Sequence, residues 1–206
     1  MSIPKTHYFE ARPEVGSRPR SIRFKTGDVE LELQADRGVF GSKGVDLGTA
    51  VLLDEAPPPP PAGEILDLGA GYGPIAIALA RQAPKARIWA VDVNERALEL
   101  ARQNAERNFS PNVVVARPEG VPAEIRFAAI YSNPPVRVGK KPLHDLLLAW
   151  LPRLQPGGRA YLVVQRNLGA DSLAAWLHTQ GYTASRLKSK KGYRILEVTP
   201  AGGRRE

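Results

Sequence analysis

From about residue 62 onward the chain alternates short apolar runs with longer stretches whose apolar residues recur every three or four positions. The runs at 64–68, 87–91, 113–117, 127–131 and 160–165 are apolar throughout most of their length, the pattern of strands buried on both faces of a parallel sheet. Between them lie helical stretches. One opens after Asn94, a good N-cap residue, and puts Ala97, Leu98, Ala101 and Ala105 on one face. Another carries Leu143, Leu146, Leu147, Trp150, Leu151 and Leu154 on one stripe and is expected to stop at Pro156-Gly157-Gly158. Residues 186–190 and 193–199, about a Lys-Gly turn, read as a closing antiparallel pair. The alternation predicts an α/β fold with right-handed crossovers and helices on both faces of a mostly parallel sheet.

Before residue 62 the pattern changes. Alternating runs at 21–25 and 29–33 flank Thr26-Gly27-Asp28 and predict a β-hairpin. Pro57 to Pro61 can neither continue a helix nor pair in a sheet; as polyproline II the run would span roughly 15 Å. The expected organisation is an N-terminal extension (1–56, a hairpin and a helix covering the pocket), a proline spacer (57–61), a core (62–200) and a flexible tail (201–206).

Composition narrows the chemistry. The chain has 206 residues, enough for one good core. With no cysteine there is no disulfide, thiolate metal site or cysteine nucleophile, and three histidines leave little room for a metal centre, so none is expected. No apolar run approaches the roughly 20 residues of a membrane span, and the N-terminus lacks a signal-peptide core, so a cytoplasmic protein is expected. The net charge of +8 is concentrated at the ends. Lys5, Arg12, Arg18, Arg20, Arg23 and Lys25 face only Glu10 and Glu14 in the first 25 residues. Arg186, Lys188, Lys190, Lys191, Arg194, Arg204 and Arg205 face only Glu197 and Glu206 in the last 21. Such a distribution suits an anionic partner such as RNA as well as ordinary solvated faces.

The first core strand runs into Asp67-Leu68-Gly69-Ala70-Gly71-Tyr72-Gly73, with Pro74 opening a helix. Glycines here permit a tight turn and close approach of a ligand to the backbone. The spacing is G-x-G-x-G; a dinucleotide fingerprint would need glycine where Pro74 stands, which disfavours NAD. The second strand ends at Val91-Asp92-Val93, and Asp92 lies 19 residues beyond Gly73, where a βαβ unit presents a carboxylate to ribose hydroxyls. Asp67, Gly69, Gly71, Gly73, Asp92 and Val93 are therefore the candidate cofactor site, although Asp67 could instead brace the turn.

The fourth strand ends in Ser132-Asn133-Pro134-Pro135, in the crevice where open α/β sheets bind ligands. The lone pair of an exocyclic base amine is conjugated into the ring, so it needs orienting more than it needs a strong base. The Asn133 side-chain oxygen and the Pro134 carbonyl could hold its two N–H groups, and Pro134 and Pro135 would fix the backbone. Asn133, Pro134 and Pro135 are the candidate catalytic residues.

These segments resemble the small-domain methyltransferases related to ribosomal RNA small subunit methyltransferase C, a guanine-N2 methyltransferase. Gly38 to Thr49 is similar to that family's G-V-F-S-x-x-x-x-D-x-G-T stretch, and Pro134 to Lys140 also matches. The resemblance implies a Rossmann-like class I fold with seven strands, the last antiparallel, and S-adenosyl-L-methionine as cofactor. It implies RNA as partner, ribosomal RNA or a ribosomal particle, with guanine N2 as acceptor. It places Phe40, Lys43, Asp46, Gly48 and Thr49 over the pocket, with Thr49 and Asn133 also near the cofactor. The expected substrate contacts are Phe40, Lys43, Val136, Arg137, Lys140, Lys141 and His144, although His144 could equally be an exposed helix residue. Val136 stands where many amino-methyltransferases carry an aromatic ring; Phe40 or Tyr131 is the candidate replacement. Glu119, after the third strand, is the candidate for the adenine. A protein-glutamine methyltransferase and a non-catalytic cofactor-binding module are the competing functions.

Overall fold

The computed structural model describes residue 16 and residues 18–41, 44–136 and 139–201. Seven strands form one sheet in the order β5-β4-β3-β6-β7-β9-β8. They are β3 (Ala62–Leu68), β4 (Lys85–Val91), β5 (Val113–Ala116), β6 (Phe127–Ser132), β7 (Leu154–Gln165), β8 (Tyr182–Lys190) and β9 (Tyr193–Pro200). β5, β4, β3, β6 and β7 run parallel, and β9 is antiparallel to both its neighbours. This is the mostly parallel α/β sheet expected from the alternation, with the seven strands and Rossmann-like order that the resemblance implies.

Period-two alternation along each strand supplies two cores. Ile65, Ile88, Tyr131 and Val163 face α1 (Leu47–Glu55) and α2 (Pro74–Gln82). Leu66, Trp89, Ile130 and Leu162 face α4 (Lys140–Trp150) and α5 (Ala170–Thr179). Helix α3 (Glu95–Arg107) starts where predicted, with the Asn94 side chain accepting from the Ala97 amide at 3.1 Å.

The hairpin, β1 (Arg20–Thr26) and β2 (Val29–Ala35), forms as expected and packs Leu31, Leu33 and Ala35 against Ile77, Ala97 and Ala105. Two side chains of α3 complete the edge of β2. Asn104 Oδ1 accepts from the Gln34 amide at 2.7 Å and its Nδ2 donates to the carbonyls of Gln34 and Tyr72; Asn108 does the same for the amide and carbonyl of Glu32. An asparagine amide carries one acceptor and two donors, so it can pair an exposed strand edge as another strand would.

One expectation fails. Helix α4 ends at Trp150, and Leu151–Arg153 form a single 3-10 turn leading into β7 at Leu154. Pro152 has no amide to donate and cannot extend the helix, although Leu151 and Leu154 continue its apolar spacing. Pro156-Gly157-Gly158 is therefore no helix stop: it lies in β7, where the pairing with β6 shifts register. A Cβ on Gly158 would sit 2.8 Å from the Phe127 carbonyl oxygen, so only glycine permits this approach.

Replacing Asn104, which is fully buried, strands three backbone groups. We expect Asn104→Ala to lower the unfolding free energy in a urea titration by on the order of 3 kcal/mol; a change below about 0.5 kcal/mol would show that the hairpin is not held through this residue.

Candidate active site

Above the C-terminal ends of β3, β4, β6 and β7 lies a cavity of about 320 Å³. Its floor is the turn after β3. Gly69 and Gly71 adopt φ of 78° and 57°, and a Cβ on either would meet nothing, so both open directly onto the cavity. The Gly69 and Ala70 amides donate to the Val91 carbonyl at 2.9 and 3.0 Å, tying the turn to β4. Gly73 belongs elsewhere: its Cβ would come within 3.3 Å of Ile77 and 3.4 Å of Ala101, so it serves the packing of α2 on α3 and is not part of the cavity wall.

The two acidic candidates separate. Asp92 lines the cavity with Val93, and its carboxylate accepts from the Gly71 amide at 2.8 Å and the Asn94 amide at 2.9 Å. Burial pushes its pKa up, against the pull of the amides of Asn94, Gly71 and Val93. A carboxylate offers about four lone-pair positions, so a ribose diol can still be bound. Asp67 lies under the turn, fully buried and outside the cavity wall. Its Oδ2 accepts from the Ala76 amide at 2.8 Å while Oδ1 has no hydrogen-bond partner among the described residues. It is the brace of the turn at the N-terminus of α2. Burial pushes its carboxyl up to about 8, with the Ala76 amide pulling down and Asp92 adding to the rise.

The acceptor side is built around Asn133. Ser132 Oγ donates to the Leu68 carbonyl at 2.6 Å, fixing the end of β6 to the glycine turn. Asn133 Nδ2 donates to Asp46 Oδ2 at 2.9 Å and to Thr49 Oγ1 at 3.1 Å. Asp46 is the N-cap of α1, its same oxygen accepting from the Gly48 amide at 2.8 Å. Because Asp46 in its ionised form is an acceptor only, the amide of Asn133 must turn its nitrogen toward it and its oxygen away. Thr49 thus stands behind Asn133, at a small cavity shared with Gly69 and Gly71. The Pro134 carbonyl accepts from the Val136 amide at 2.8 Å, which leaves it one lone pair. Pro134, Pro135 and Val136 all line the main cavity.

Other candidates fare differently. Phe40, 45% exposed, stands in the cavity wall. Tyr131 does not: it is buried against Tyr161 and donates to the Pro57 carbonyl at 2.9 Å. Glu119 is not part of the wall, its exposed carboxylate being drawn to Arg117 at 2.5 Å; Pro118 takes its place there. Lys140 and Lys141 open α4 on the surface, and Lys141 pairs with Asp145 at 2.6 Å. His144 stacks on Trp176 with ring centroids 3.6 Å apart and does not reach the cavity. Its pKa is lowered, chiefly by burial and then by Lys140. Lys43 and Arg137 lie outside the described residues. Sequence reading did not assign Leu146, Trp150, Gln165, Leu168 and Tyr193 to the site, and all five line the cavity. The available signal was position, since Gln165 ends β7 and Tyr193 begins β9 at the sheet edge where ligands bind.

The elevated carboxyl of Asp67 makes stability depend on pH. A folded-state pKa near 8 against an ordinary unfolded value means that its contribution is complete in acid and is lost as pH rises toward and through about 8. Asp67→Asn keeps an acceptor for Ala76 and removes the charge. Between about pH 5 and about pH 9 the melting temperature of the parent should fall relative to that of Asp67→Asn; parallel curves would contradict the assignment.

The profile of the Methyltransferase small domain family matches residues 30–197. An uncharacterised Bacillus subtilis protein, YbxB, is 36% identical over 195 residues, covering 93% of this chain and 97% of its own. Ribosomal RNA small subunit methyltransferase C of Shewanella amazonensis is 36% identical over 158 residues, 74% of this chain and 45% of that protein. A T. thermophilus 16S rRNA N2 G1207 methyltransferase, solved in complex with AdoMet and guanosine, superposes with a TM-score of 0.73 at 24% identity. The match covers 91% of this chain and 52% of that one, a likeness of fold. The chain thus spans about half the length of these RNA-modifying relatives. The profile spans most of the chain, and the chain belongs to the methyltransferase small-domain family.

Proposed function

We propose that this chain transfers a methyl group from S-adenosyl-L-methionine to an exocyclic amine of a base in RNA, with guanine N2 of ribosomal RNA as the favoured acceptor. The observation that carries the reading is the orientation of Asn133. Its amide nitrogen is spent on Asp46 and Thr49, so its oxygen is the atom left for a substrate N–H. The remaining Pro134 lone pair supplies a second acceptor one residue away. Together they suit a group with two N–H donors.

The cavity fits the cofactor, since Gly69 and Gly71 leave room for a ligand against bare backbone and Asp92 offers the carboxylate for a ribose. When bound, S-adenosyl-L-methionine would supply a methyl carbon activated by a cationic sulfur, the C–S electron pair leaving with that sulfur as the N–C bond forms and one amine proton passing to water. Asn133 and Pro134 would hold the N–H groups so that the nitrogen lone pair points at that carbon; Pro135 stiffens the turn. Acceptors set in advance also favour the positive charge that develops on the amine. Exposed cations from three elements, Lys140 of α4, Arg166 after β7 and Lys191 after β8, support an anionic polymer as partner.

Transfer of labelled methyl to total RNA against total protein tests the reading. Label is expected in RNA, and Asn133→Ala should reduce turnover about a hundredfold or more while changing S-adenosylhomocysteine affinity by no more than about twofold. Label in protein alone, or an Asn133→Ala variant whose cofactor affinity collapses with its activity, would contradict it.

A further inference from the structure

Beside Asn133 part of the cavity wall comes from strands β7 and β9, and neither the glycine turn nor the N-P-P segment includes it. Gln165 and Tyr193 are directly paired residues of these antiparallel strands, so their side chains project from the same face of the sheet as close neighbours. The pair is locked: the Arg166 amide donates to the Gly192 carbonyl at 2.9 Å, pinning the end of β7 to the turn that begins β9. Tyr193 also sits against the acceptor machinery. The position of a Cβ on Gly48 is 2.8 Å from Tyr193 Cε1, 2.9 Å from Asp46 Oδ2 and 3.2 Å from Asn133 Nδ2. One absent methyl group therefore separates ring, carboxylate and amide.

Gln165 is half-buried in the cavity wall, which also includes Val163, Leu168 and Trp150. Among the described residues its amide makes no hydrogen bond, although it carries two donors and an acceptor. Its two donors and its acceptor are therefore open to a matching ligand edge. Of the bases with an exocyclic amine, guanine alone follows that amine with a ring N–H and then a carbonyl oxygen. A glutamine amide pairs that edge with both its oxygen and its nitrogen. Adenine and cytosine place a bare ring nitrogen next to the amine and would leave the Gln165 oxygen without a partner.

We propose that Gln165 and Tyr193 are the base-reading wall of the site: Tyr193 covers the ring of a flipped-out guanine, and Gln165 pairs its N1–H and O6 while Asn133 and Pro134 hold the N2 amine. Tyr193 then supplies the aromatic surface that Val136 does not. This rests on the reading of the chain as an RNA amine methyltransferase.

The experiment uses the full chain, labelled S-adenosyl-L-methionine and an unmodified ribosomal RNA transcript, with the methylated nucleoside identified by mass spectrometry. The parent is expected to form N2-methylguanosine. Gln165→Leu, and Gln165→Glu as a polar variant of the same size, should each lower kcat/KM for RNA about tenfold or more, with S-adenosylhomocysteine affinity held within about twofold. Tyr193→Phe should keep most activity and Tyr193→Leu lose about tenfold or more, because stacking needs the ring and not the hydroxyl. RNA methylation that is unaffected by both Gln165 variants, or that falls on adenine or cytosine, would overturn the base-reading role and leave RNA methyl transfer standing. Absence of methyl transfer to RNA by the parent would overturn both.

Discussion

The geometry of the site depends on one hydrogen-bonded junction, Asn133 to Asp46 and Thr49. It joins the end of a core strand to the first turn of α1, a helix that arrives from the N-terminal part of the chain. A carboxylate that only accepts and an amide that both accepts and donates have one compatible arrangement, so the direction of the Asn133 oxygen follows from chemistry. The junction also explains Gly48. A side chain there would press on Tyr193, Asp46 and Asn133 together, so glycine is required by proximity and not by an unusual backbone angle.

Two aspartates at the ends of adjacent strands show how position sets use. Asp92 projects past the end of β4, and two backbone amides hold its carboxylate at the cavity. Asp67 stands within β3, receives one amide, and has an oxygen with no partner among the described residues. The first is suited to bind and the second to brace, at the expense of a carboxyl that burial drives up to about 8. Both are products of a sheet whose two faces are covered, which leaves its C-terminal edge as the place where polar groups gather.

The strands were legible because a run buried on both faces is apolar over its whole length, as Ile65 with Leu66 and Ile88 with Trp89 illustrate. The end of α4 was not, because Leu151 and Leu154 preserve its spacing across Pro152 while serving a turn and a strand. The glycine turn, Asp92 and Asn133 could be found since each lies in a contiguous segment. Gln165 and Tyr193 could not: they meet only through the β7–β9 pairing, a contact between residues 28 positions apart with no shared local motif. Asn104 and Asn108 carry the same lesson, being polar residues on a helix whose partners are a strand edge some 70 residues earlier in the chain. Glu119 and His144 stand at plausible sequence positions, after the third strand and after the basic segment, but nearer partners, Arg117 and Trp176, hold them.

That the Asp46 contact matters through Asn133 can be measured by a double-mutant cycle on the single-turnover rate of methyl transfer to RNA. Asp46→Ser keeps an N-cap for α1 but is too short to reach the Asn133 amide. If Asp46 acts by orienting that amide, Asp46→Ser should slow transfer about tenfold or more in the parent and have little further effect once Asn133 is alanine. Equal losses in both backgrounds would show that Asn133 does not need its buttress.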